Sequence, residues 1–269
     1  MTASTRKLGR IKPHVVPRFH FRDFLEPGAT APAEVHRTDR QFNWPMLANG
    51  PDPSVTVNPI VASYGVGDCV IARTLHAIQH MHISAGTSVP TFHGDDALAL
   101  YSAVTGYDPS QTDDQGNNPT DQGTDPSVMD NYWQNTGVKF PDGTVDKIAG
   151  FLQVSPTNPN EWGLGIAEFD FLGAGYNLTQ SAETSNLWQV IPNDPVVGGH
   201  EVMHNSYDAE RLNVNCWGED AVNLLVTRGY LTAQCDQLTI YLSHDVLNKN
   251  GISNLGFNYT KLQQAFSAL

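Results

Sequence analysis

Gly67-Asp68-Cys69-Val70-Ile71-Ala72-Arg73-Thr74-Leu75-His76-Ala77-Ile78-Gln79-His80-Met81-His82 is the stretch on which the reading of this chain turns. Ile71, Leu75, Ile78 and Met81 recur at four- and three-residue steps, so the spacing predicts a helix over 69–82. Asp68 stands at its N-cap, which puts Cys69 in the first turn. A thiol attacks a carbonyl as thiolate, yet free cysteine, with a pKa of about 8.5, is mostly protonated at neutral pH. Two devices lower that value: the partial positive charge of a helix N-terminus and a neighbouring imidazolium. The first is supplied by the helix. The second has a candidate in Gly198-Gly199-His200, and a third stretch, Asn215-Cys216-Trp217-Gly218, adds a carboxamide.

His200 lies 131 residues after Cys69, and Asn215 follows 15 later. In this reading Cys69 is the nucleophile and His200 the base that later protonates the leaving group. Asn215 accepts a hydrogen bond from the ring and orients it, and Trp217 shields that bond from water. The backbone N–H of Cys69 faces the developing oxyanion.

Composition bounds the alternatives. A chain of 269 residues, 40% hydrophobic, can bury one full core. No stretch approaches the roughly 20 apolar residues of a membrane span. The opening residues lack an apolar signal core, so a cytoplasmic or virion location is expected. Three cysteines, an odd number, are read as reduced thiols. Residues 1–40 carry eight Arg and Lys against four acids, while the remainder carries seven against 24. A net charge of −13 speaks against nucleic-acid binding by the body. The basic arm has three readings: it wraps its own acidic domain, docks on a neighbouring subunit, or touches nucleic acid.

Along the chain, residues 1–60 are Pro-rich and aperiodic and are expected to lie extended against the body. A domain over 61–245 follows, then a helical tail over 246–269. Helices are expected at 95–105, from Asp125-Pro126 to about Gly137, and near 159–170 after Asn158-Pro159. The aspartate-rich loop 107–126 lacks the spacing of a calcium loop and reads as solvated. Strands are expected at 173–179, 186–191, 200–206, 211–217 and 236–243, with a short helix at 219–228 and a last helix at 258–268. Helices first and strands later predict an α+β fold.

Gly199-His200-x-Val202 with Ser206-Tyr207-Asp208, and Asn215-Cys216-Trp217-Gly218, resemble the His and Asn-Ser-Trp-Gly motifs of the papain family. The spacing is that of papain-type enzymes. The chain is also similar to papain-fold proteins of bacteria and phages in Gly67-Asp68-Cys69, in Tyr101 to Tyr107 (Tyr-x-x-x-Thr-Gly-Tyr), in Thr120 to Gly123 and in Gly198-Gly199-His200. The resemblance spans about residues 45–245. It implies a helical N-terminal half, with the nucleophile at a helix N-terminus, packed on an antiparallel β half. It also implies a thiol hydrolase cleaving an amide bond in a peptide or a peptidoglycan crosslink, with no cofactor. The chain departs from papain in two places. Ser63 stands where the oxyanion carboxamide is usual, six residues before the cysteine, with Asn58 as a substitute that could fold back. Val70 stands where papain has Trp. Loss of one oxyanion donor costs roughly 10²–10³ in rate. The rival reading is therefore a structural or interaction protein on a papain-like scaffold, for instance a phage virion component.

His200-Glu201-Val202-Met203-His204 also satisfies H-E-x-x-H, a zinc motif when it lies on a helix. Two glycines before it and a turn signal after it predict a strand instead, on which the two imidazoles lie about 13 Å apart and cannot share an ion. His76 and His80, with His82 nearby, are i, i+4 on the first helix; they read as polar-face or groove-lining residues, and no metal site is expected.

Overall fold

The computed structural model describes residues 7–14, 18–36, 52–215 and 224–269. Its helical half comprises α1 (Pro59–Tyr64), α2 (Cys69–Ser84), α3 (Gly94–Thr105) and α4 (Pro126–Asn135). A small hairpin, β1 (Val138–Lys139) with β2 (Val145–Asp146), leads into the second half. There β3 (Gly150–Val154), α5 (Pro159–Phe169), β4 (Leu172–Thr179), α6 (Gln180–Thr184), β5 (Leu187–Trp188) and β6 (Val196–His204) follow. The chain continues through β7 (Arg211–Asn213), β8 (Leu225–Thr227), α7 (Arg228–Gln234), β9 (Cys235–Leu242), α8 (His244–Leu247) and α9 (Tyr259–Ser267). The main sheet is antiparallel in the order β3-β9-β4-β6, and β5-β8-β7 form a second, smaller sheet. This is the α+β arrangement expected, helices first and mainly antiparallel strands after, with β5 pairing β8 in parallel.

Local chemistry accounts for the helix starts. Asn58, Asp125 and Asn158 each accept a backbone N–H of the first turn, and each precedes a proline whose missing donor costs nothing at that position. Helix α1 is a difference from the extended reading of 1–60, and Asn58 is its cap. Asp68 is the N-cap of α2 by position only: its carbonyl accepts from Ile71 and Ala72, and its side chain makes no capping bond.

Helix α2 is buried nearly all round, from Cys69 to His80. His76 and His80 therefore lie in the core, contrary to the polar-face expectation, and His80 packs edge-on against Phe171 at 5.2 Å. The signal was available: Arg73 is the sole charged residue apart from histidine between 69 and 84, and a helix so poor in charge has no solvated face. Residues 18–36 lie on the β half. Phe21 and Phe24 enter its core, with Phe21 stacked on Phe257 at 5.3 Å just ahead of α9.

One helix expectation and two strand expectations shift. The predicted helix over 219–228 falls partly outside the described residues, and Leu225–Thr227 is a strand, because Val226 is buried opposite Leu212. The helix starts after Thr227, whose hydroxyl caps it, so Gly229 sits in its first turn. The expected strand 186–191 is cut to two residues, ahead of a turn bracketed by Pro192 and Pro195. β6 begins four residues early, at Val196, so Gly198 and Gly199 are strand residues and not a lead-in turn.

Burial drives the His76 imidazole down to about 3. A histidine depressed in the fold is neutral there but takes a proton in the unfolded chain below about 6.5, so its contribution is present above that pH and lost as pH falls toward 3. His76→Leu should therefore gain about 2 kcal/mol relative to the parent between pH 7 and pH 5, measured by urea unfolding. Parallel pH profiles would show that His76 is not held neutral.

Candidate active site

Cys69 opens α2, and α2 packs across β6, the strand that bears His200. The thiol is 1% exposed, and the backbone amides of Glu201 and Gly9 are directed at its sulfur. Burial pushes it up to about 12 against the pull of those two amides, with the charges of Glu201 and Asp68 adding to the rise. In this covered state it is a thiol at neutral pH, not the thiolate expected from a helix N-terminus. Desolvation outweighs the dipole because no solvent reaches the sulfur.

The loop motifs of the sequence explain how the Gly67-Asp68-Cys69 turn is held. Asp121 accepts the N–H of Gly67 at 3.1 Å and the Tyr101 hydroxyl at 2.8 Å. The same hydroxyl accepts the N–H of Gly123, and Tyr101 stacks on Tyr107 at 4.9 Å. The tyrosines and the Thr-Asp-x-Gly turn are thus a brace behind the turn that leads into Cys69. Asp68, fully buried beside it, is raised to about 8 by burial and by Asp121.

His200 is buried in β6 opposite Tyr176, and Trp188 packs against its ring at 6.2 Å. Asn215 is buried and pairs through its backbone with Met203, three residues along β6. Asn213 donates from its amide to Asn215 Oδ1 at 3.4 Å and accepts the N–H groups of Asn205 and Ser206, which fixes the turn between β6 and β7. Helix α2 thus adjoins β6, and the Asn215 segment pairs with β6 at Met203, but the β6 residue that faces α2 is Glu201, while the His200 ring lies against Trp188. Ser63 stands apart: it is exposed and its hydroxyl donates to Pro59 at 2.9 Å. Asn58 is occupied as the α1 cap and as a donor to Pro109. Trp217 lies outside the described residues.

The H-E-x-x-H stretch is a strand, and its members face different ways. His204 donates from Nδ1 to the Asn213 carbonyl and accepts the Tyr176 hydroxyl at Nε2, and burial lowers it to about 4. Glu201 faces α2 instead, where its Oε1 is 3.4 Å from Arg73 Nε. Among the described residues no group of three or more His, Cys, Asp or Glu is arranged to hold a metal ion, and no helix is long and apolar enough to cross a membrane.

Residues 8–11 run through the cleft between these parts. Arg10 donates its N–H to the Gly199 carbonyl at 3.1 Å, and Ile11 donates to Thr124 at 2.9 Å. Thr124 in turn donates to the Gly9 carbonyl at 2.6 Å. The glycines lining this path are there for clearance. A Cβ on Gly199 would overlap the Arg10 carbonyl, one on Gly198 would crowd Leu8, and one on Gly9 would strike the Gly67 carbonyl. This portion of the basic arm lies on the acidic body. Sequence reasoning missed Arg10, Arg73, Asp236 and Trp188 around this cleft, and considered Glu201 only within the zinc motif.

The fold is that of papain-like proteases. Xylellain, a cysteine protease from Xylella fastidiosa, superimposes with a TM-score of 0.64 at 16% identity, over 89% of this chain and 97% of that one. A cysteine protease of Carica candamarcensis gives 0.50 at 12% identity over 79% and 99%. Procathepsin L 3 of Tenebrio molitor gives 0.50 at 10% identity over 89% and 76%. No protein-family description and no curated protein matches the sequence.

Arg73 lies between Glu201 and Asp130, with every side chain of the trio buried. Arg73→Met leaves two buried carboxylates without their shared cation. It should cost about 3–5 kcal/mol of unfolding free energy, partly recovered by adding Glu201→Gln. Equal unfolding midpoints for parent and Arg73→Met would refute that account.

Proposed function

We propose that this chain is a papain-like thiol hydrolase acting on a peptide bond, held in a covered form by its own residues 8–11. One observation carries the reading. The cleft at the N-terminus of α2 already holds an extended stretch of main chain, hydrogen-bonded to Gly199 on one wall and Thr124 on the other, with Gly9 over the Cys69 sulfur. A groove that grips main chain on both sides suits a polypeptide better than a sugar-linked crosslink, because its donors and acceptors match the repeat of the backbone.

In the uncovered enzyme, water reaches Cys69 and its pKa falls as the desolvation is relieved. His200 takes the proton, and the sulfur attacks the scissile carbonyl. The oxyanion is held by the N–H of Cys69, while the Ser63 hydroxyl is engaged by Pro59. Asn215 orients the ring, His200 returns its proton to the leaving amine, and water hydrolyses the thioester. A second reading, an interaction protein on this scaffold, is favoured by the position of Ser63 and by the buried, protonated thiol.

Gly9→Ala separates the two. The added methyl cannot pass Gly67, so the arm should lift. Alkylation of Cys69 by iodoacetamide, located by peptide mass mapping, should accelerate over the parent, and hydrolysis of a denatured casein should appear. Cys69→Ala in that background should lower turnover by about 10³-fold or more. Faster alkylation with no hydrolysis would favour the interaction protein.

A further inference from the structure

We infer that the pocket filled by Arg10 selects a basic side chain, arginine above all, in the peptide that occupies the cleft, with Glu201 and Asp236 as the selecting residues. This inference rests on the hydrolase reading above, and it adds a class of substrate to it. Arg10 is the residue next to Gly9, which packs against the backbone of Gly67, two residues before Cys69. Any peptide that presents a carbonyl to the Cys69 sulfur must lie in the same slot, so a side chain one position along meets the same pocket.

The pocket is built for a planar cation. Three neighbouring strands supply it: Gly175 from β4, Glu201 from β6, and Asp236 with Gln237 from β9. Gly175 sits mid-strand, where glycine costs stability, and a Cβ there would overlap the Arg10 guanidinium. Nε of Arg10 stands 3.1 Å from Glu201 Oε2, while Nη2 binds Asp236 and reaches Gln237 Oε1 at 3.3 Å. The acceptors lie in two directions, and a guanidinium spans both where an ammonium reaches one. The Arg10 side chain is 1% exposed.

Charge makes the demand specific. Arg73 is already shared by Asp130 and Glu201, so one cation faces two carboxylates before Asp236 is counted. With Arg10 withdrawn, Arg73 alone faces Asp130, Glu201 and Asp236, so the group is left with an excess of two negative charges. Burying a neutral side chain over them is costly, and a basic one restores the balance. The acidic body adds a long-range pull on basic peptides.

The test uses the full chain with Arg10→Ala. Thermal melts are run with N-acetyl-arginine amide, N-acetyl-lysine amide and N-acetyl-leucine amide. The arginine amide should raise the melting temperature saturably, the lysine amide less and the leucine amide not at all. Adding Asp236→Asn should weaken the arginine effect on the order of tenfold or more. If the alanine variant does not fold, Arg10→Gln takes its place, and folding only in the presence of the arginine amide is itself the expected rescue. Fluorogenic peptides differing at one position, Arg against Leu, give the second readout. Turnover without preference for Arg, or equal responses to the arginine and leucine amides, overturns the pocket and leaves the hydrolase standing. Arginine rescue with no peptide cleaved supports the pocket and removes the hydrolase.

Discussion

A single carboxylate, Glu201, joins the parts of this protein that have to meet. One oxygen faces Arg73 on the helix that starts at Cys69, and the other faces Arg10 from the N-terminal segment. Glu201 itself follows His200 in β6. The helix, the histidine strand and the covering segment are therefore fixed to one another through one buried group. Burial raises Glu201 to about 7, and only the two arginines offset that penalty. Such a junction gains little net stability, but removing a single member strands charge in a dry interior. It sets the relative placement of the two halves more than it adds to their cohesion.

Two hydrophobic clusters meet at the same place. Met203 of β6 packs with the helical cluster, and its neighbour Val202 with the β cluster. Alternation along one strand thus serves both cores. Phe171 and Tyr241 join Met203 on the helical side, and the Arg73 guanidinium lies 4.7 Å from the Tyr241 ring centroid. Cys69 sits where these layers converge, which explains why it is dry. The N-terminal segment adds to that burial, because Gly9 lets its backbone approach Gly67 closely.

How much of this was legible in the residues can be argued one element at a time. The α2 period, the Asn and Asp caps before prolines, and the turn signals that made 200–204 a strand all rest on local chemistry, and the structure follows them. The buried stripe of α2 was legible in principle from its missing charges. The helix at 228–234 was misplaced because the burial of Val226 against a distant strand decided the boundary. Gly198 and Gly199 were read as punctuation, whereas they are clearance for a segment nearly 190 residues earlier in the chain.

From the sequence alone came the α+β order, the position of Cys69 at a helix start, and the candidates His200 and Asn215, because each depends on neighbours within a few residues or on motif spacing. The tertiary structure alone decided that Arg10 would reach Glu201 and Asp236, that the thiol would be dry, and that Ser63 would turn to Pro59. Those outcomes depend on pairings between residues far apart in the chain, and no local pattern encodes which cation will meet which carboxylate once water is excluded.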